Sequence, residues 1–147
     1  DALERTYEYW VVQEKSPFLM DSAHYIKFKL DLDKMNEAAS LLMNYTDFEC
    51  FSKSNTDVKT YLCKLKQAEW TIRGNVLVFT ISADRFLRNM VRAIVGTLVE
   101  VGLGKSTLVD VEEIINSKDR SKAGVSVPAK GLYLTKVSYP SHIKLNS

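Results

Sequence analysis

Asp84-Arg85-Phe86-Leu87-Arg88-Asn89-Met90-Val91-Arg92-Ala93-Ile94-Val95-Gly96-Thr97-Leu98-Val99-Glu100 reads as one long helix. Asp84 suits its N-cap, the helix runs to about Val101, and Gly102-Leu103-Gly104 closes it. At about 100° per residue, Leu87, Met90, Val91, Ile94, Leu98 and Val101 form a broad apolar face. Opposite lies a narrow polar stripe of Arg85, Arg88, Asn89, Arg92, Gly96 and Glu100. Three arginines with no acid before Glu100 concentrate positive charge there. Two readings fit: a solvated arginine face with a packing glycine, or phosphate contacts by Arg85 and Arg88. In the second, Arg92 pairs with a carboxylate or phosphate through its planar fork. Gly96, one turn beyond Arg92, lets another backbone or a substrate come close.

Outward from this helix the pattern changes to strands. Leu62 to Ile72 and Val76 to Ala83 predict a hairpin around Arg73-Gly74-Asn75, with Leu77, Phe79 and Ile81 on one face. Near the start, Thr6 to Val12 is β-branched and aromatic, and Tyr7, Tyr9 and Val11 share a face. After the turn-like Ser16-Pro17, a second extended piece is expected from Tyr25 to Leu30. Asp33 then suits the cap of a helix carrying Met35, Ala38, Ala39 and Leu42, and the polar residues 44–61 read as loop. Downstream, Thr107 caps a shorter helix with Val111, Ile114 and Ile115. The basic loop Lys118-Asp119-Arg120-Ser121-Lys122 and a strand from Leu132 to Tyr139 complete the order. This β–β–α–β–β–α–α–β succession predicts an α+β fold: a mostly antiparallel sheet with helices packed on one face. No repeat, linker or boundary divides residues 1–147, so a single domain is expected.

The 147 residues, 46% apolar and 26% charged, suffice for one core without disulfide or metal support. No apolar run reaches the ~18 residues that span a bilayer, and no signal peptide opens the chain. Cys50 and Cys63 make no CxxC pair, and His24 and His142 stand far apart, so no metal-ligand spacing exists. Buried free thiols and a cytoplasmic setting are the simple reading. The net charge is +2, but residues 1–49 carry ten acids and five bases, and residues 50–147 eight acids and fifteen bases. That asymmetry permits a polyanion-binding face without requiring one. Ser16, Ser54 and Ser141 lack a supporting His/Asp arrangement, and both histidines read as surface or packing residues. Gly102-x-Gly104 follows a helix, so it is a helix stop and not a nucleotide loop. Tyr7 reads either as a half-buried core aromatic or as a platform on which a base stacks.

Three motifs nevertheless point to a family. Phe86-Leu87-Arg88-Asn89-Met90-Val91-Arg92-Ala93-Ile94-Val95-Gly96, Tyr7-Glu8-Tyr9, and Lys130-Gly131-Leu132-Tyr133-Leu134 resemble the C-terminal domain of TruA-type tRNA pseudouridine synthases. Asp47-Phe48 followed by Phe51 also fits that family's pattern, and the resemblance covers essentially the whole chain. It implies an enzyme that isomerises uridine to pseudouridine, without cofactor or metal, at positions 38 to 40 of the tRNA anticodon stem-loop. The target base is flipped out of the helix and met by a nucleophilic aspartate.

That aspartate belongs to an Arg-Thr-Asp motif in the N-terminal half of such enzymes. No Arg-Thr-Asp occurs here, where Arg5-Thr6 is followed by Tyr7. The expectation is therefore a C-terminal half that is inactive alone. Carried over residue by residue, the resemblance makes Tyr7 the stacking and acid/base partner of the flipped uracil. It makes Arg92 the ion-pair partner of the aspartate, and Leu132 the residue closing the base pocket. Arg85, Arg88, Lys53 and Lys130, chosen by charge near the motifs, are candidate phosphate contacts. A homodimer with tRNA crossing both subunits is implied for the full-length protein. Two other functions stay open: a free-standing RNA-binding module, and a structural or dimerisation domain.

Overall fold

Val76–Ala83 alternates side chains so that Phe79 and Ile81 point into the core, and this strand is the centre of a mixed five-stranded sheet. The computed structural model describes residues 3–53 and 59–139; His142, Ser54 and Ser141 lie outside the described residues. In chain order the strands are β1 (Glu4–Val12), β2 (His24–Tyr25), β3 (Leu65–Arg73), β4 (Val76–Ala83) and β5 (Leu132–Ser138). The helices are α1 (Leu32–Leu42), α2 (Met90–Gly102) and α3 (Leu108–Ser117). β4 pairs antiparallel with β1 on one side and β3 on the other. The far edge of β1 is shared by β5, antiparallel along Glu4–Tyr9, and by β2, parallel at Val11 and Val12. β3 and β4 are joined by the two residues Gly74-Asn75, with Gly74 at φ +66°, a conformation that glycine adopts without a Cβ clash.

One face of the sheet meets the helices. Tyr9, Phe79, Ile81 and Trp70 pack with Met35, Ala38 and Leu42 of α1 and with Ile94 and Leu98 of α2. Asn36 of α1 braces the outer edge of β3: its amide donates to the Trp70 carbonyl (3.0 Å) and accepts from the Trp70 N–H (2.7 Å). That occupies backbone groups which an edge strand otherwise leaves open to pairing. Burial holds the Cys50 thiol up at about 12 and the Cys63 thiol at about 11, and both cysteines are free.

The α+β architecture stands as expected, but several boundaries move. The expected strand from Tyr25 to Leu30 shrinks to His24–Tyr25. The cap of α1 is Asp31, which accepts from the Lys34 N–H at 3.1 Å, and not Asp33. Within the expected loop 44–61, Asp47 bridges Leu62 and Glu49–Phe51 forms a 3-10 turn. Phe48, Cys50 and Phe51 are fully buried there, because aromatic burial rather than period anchors this segment.

Asp84 to Glu100 is not the one continuous helix that its spacing predicts. The helix begins at Met90, not after Asp84. Asp84 instead closes the end of the β3–β4 ladder, accepting from the Lys64 N–H at 2.7 Å and donating its own N–H to the Lys64 carbonyl. Arg85 to Asn89 runs as a non-helical connection, which lets Leu87 enter the core while Phe86 meets Tyr7 edge to face, ring centroids 5.0 Å apart. The helical polar stripe therefore does not exist. Eleven of the thirteen residues of α2 are buried, leaving only Arg92 and Glu100 part-exposed.

Candidate active-site cavity

β1 presents Tyr7 where its pairing with β5 shifts register between Thr6 and Tyr7. The connection before α2 presents Phe86, Arg88 and Asn89, and the first turn of α2 presents Arg92. The start of β5 adds Leu132, with Ala129 just before it. Together with Lys53, these residues line an open cavity of about 330 Å³. Five of the seven residues singled out in the sequence, Tyr7, Arg92, Leu132, Arg88 and Lys53, thus meet at one place although they span most of the chain. A backbone hydrogen bond from the Lys53 N–H to the Arg88 carbonyl (3.0 Å) holds the last two side by side.

Arg85 and Lys130 do not line the cavity. Arg85 donates to the carbonyls of Thr60 (2.9 Å) and Leu62 (3.2 Å), and the Lys130 amine donates to the Met20 carbonyl (2.8 Å). Their charges tie the chain to itself.

The charge of the cavity is one-sided. Lys53, Arg88 and Arg92 line it, and among the described residues no carboxylate does. Arg92 is oriented through its inner nitrogen: Nε donates to the Val127 carbonyl at 2.7 Å, and the Val127 N–H returns a bond to the Arg92 carbonyl at 3.2 Å. Among the described residues its two outer nitrogens have no partner, and the Tyr7 hydroxyl has none either. Apolar walls from Phe86, Met90, Val91 and Leu132 lower the local dielectric, which strengthens the pull of an unpaired guanidinium on an anion.

Gly96 does not open space for a substrate. A Cβ there would lie 1.9 Å from the Val125 carbonyl oxygen, so the glycine admits the backbone of residues 124–127. Gly124 returns the fit, its N–H donating to Thr97 Oγ1 at 2.9 Å. The sequence marked neither this segment nor the wall residues Phe86, Leu87, Asn89, Met90, Val91 and Ala129 as part of a site. The signal for the segment was present in the pair Gly96 and Gly124, glycines that permit close approach on two elements. Among the described residues no three His, Cys, Asp or Glu side chains converge as a metal site, and no helix is long and apolar enough to cross a membrane.

Residues 38–140 match the family model described as tRNA pseudouridine synthase. The chain is 51% identical over 143 residues to a tRNA pseudouridine synthase A of Parabacteroides distasonis, covering 97% of this chain and 57% of that protein. It is 52% identical over 147 residues to that of Porphyromonas gingivalis, covering 99% of this chain and 58% of the relative. A more distant relative, from Caldicellulosiruptor bescii, is 37% identical over 140 residues, or 94% of this chain and 57% of its own length. The chain therefore spans little more than half the length of the curated relatives it matches.

Proposed function

The chain belongs to the tRNA pseudouridine synthase family, and on that premise we propose that it is the C-terminal part of an enzyme isomerising uridine to pseudouridine in the tRNA anticodon stem-loop. The observation that carries this reading is a cavity that, among the described residues, holds no acid and leaves the fork of Arg92 unpaired beside Tyr7 and Leu132. A partly enclosed guanidinium without a counter-ion calls for an anion from outside the described residues. The aspartate of an Arg-Thr-Asp motif, carried by a segment joined to this one, answers that demand. Arg92 holds such a carboxylate ionised and oriented, Tyr7 supplies a ring for the flipped base, and Leu132 excludes water. Lys53 and Arg88, paired at one rim, suit the phosphates flanking that nucleotide. A cytoplasmic homodimer with tRNA crossing both subunits is part of the same proposal.

The test is pseudouridine formation in tRNA, mapped by position. The full-length protein modifies uridines of the anticodon stem-loop, and the 147-residue chain alone modifies none. Turnover by the isolated chain overturns the division of labour. A full-length protein that binds tRNA without turnover overturns the enzyme reading in favour of an RNA-binding module.

A further inference from the structure

Arg120, in the basic loop that follows α3, has its guanidinium turned inward. Nη1 donates to the Gly124 carbonyl at 3.1 Å and Nη2 to Ser126 Oγ at 2.8 Å. The same Ser126 oxygen accepts from Asn89 Nδ2 at 2.6 Å. Asn89 holds φ +67°, in the left-handed region that asparagine adopts more readily than other residues with a Cβ, and it caps α2 without a side-chain bond to the helix itself. Its side chain is committed to Ser126. From Ser126 the chain passes directly to Val127, which grips Arg92 from both sides of the peptide. Gly96 and Gly124 let this strap lie flat on α2.

We infer that Arg120, acting through Ser126 and Asn89, is a positioning residue for Arg92. It holds the strap 124–127 so that the Val127 carbonyl takes Nε and the outer fork of Arg92 faces the cavity. Neither Arg120 nor Ser126 lines the cavity. An arginine has five donors in a fixed plane, so occupying Nε at one carbonyl determines where the remaining four aim. Without the anchor the guanidinium can rotate with the strap, and a misplacement of about 1 Å away from the reacting atoms is enough to cost two orders of magnitude in rate. Asn89 itself borders the cavity, so Arg120 is the member whose effect is cleanly indirect.

This inference rests on the enzyme reading above, and the experiment separates the two. In the full-length protein, wild-type pseudouridine formation is measured first; its absence refutes the enzyme reading whatever Arg120 does. Given wild-type activity, Arg120→Ala lowers kcat about ten- to hundredfold with KM for tRNA nearly unchanged. Arg120→Lys recovers only part, since one ammonium cannot span the Gly124 carbonyl and Ser126 as a fork does. The deciding comparison is a double-mutant cycle: in an Arg92→Lys background, whose ammonium has no Nε to anchor, Arg120→Ala has little further effect on kcat. Full additivity with Arg92→Lys, an unchanged kcat in Arg120→Ala, or a loss tracking only a lowered thermal midpoint overturns the positioning role. Ser126→Ala gives a second reading of the same link should Arg120→Ala fold poorly, with the same non-additivity expected.

Discussion

Arg92 shows how a single side chain acquires a direction. Its body is fixed because α2 is buried around it, and its inner nitrogen is fixed by Val127. Arg92→Ala removes no core volume and leaves the backbone bond from the Val127 N–H intact, so the thermal midpoint of the full-length protein changes little. The rate of pseudouridine formation falls about 10²–10³-fold, corresponding to ~2–4 kcal/mol of lost transition-state stabilisation. Lysine restores part of the charge but not the two-pronged geometry, so Arg92→Lys falls between. Single-turnover kinetics with saturating tRNA, run beside a melt, checks this; near wild-type rates for Arg92→Ala would make the residue a bystander. Arg92 was legible in the sequence as a charge that an apolar helix aims at one place. Its anchor was not, because Val127 lies 35 residues away and contributes only a carbonyl, which every residue possesses.

At the scale of elements, the meeting of α2 with the strap 124–127 depends on glycine. Gly96→Ala brings a methyl carbon to 1.9 Å from the Val125 carbonyl oxygen, and the backbone on both sides must shift. Overpacking of this kind costs about 1–3 kcal/mol, seen as a melting point several degrees lower in the full-length protein. Because the shift also moves Val127 off Arg92, kcat falls beyond what lost stability explains. A Gly96→Ala protein that melts and reacts as wild type would show that the strap yields freely. Helical periodicity recovered the body of α2 but carried it too far back towards β4. Residues 84–89 keep an apolar spacing compatible with a helix, while Asp84 and Lys64 exchange hydrogen bonds across the sheet and Phe86 packs on Tyr7. Contacts between distant segments overrode the local pattern.

The whole molecule carries its positive charge after residue 49, and the structure concentrates part of it at the cavity rim, where Lys53 and Arg88 are exposed neighbours. Binding of tRNA by the full-length protein should therefore weaken linearly in log salt, as neutralised phosphates release counterions. Reversing both charges, Lys53→Glu with Arg88→Glu, lowers that slope by about two, whereas Lys15→Glu with Lys27→Glu leaves it nearly unchanged. Filter binding across a salt series decides it; equal slopes in all three proteins would remove the rim from the RNA path. The sequence by itself pointed to the fold class, the family and five of the residues that line the cavity. Alternation and helical spacing are local consequences of which face is buried, and the motif residues are distinctive side chains. Tertiary structure alone decided where α2 starts, that Arg85 and Lys130 bond to their own backbone, and that Arg120 turns inward. A charged side chain's partner is set by which carbonyls and hydroxyls the packed chain brings within 3 Å or so of it, and no spacing along the sequence encodes that proximity.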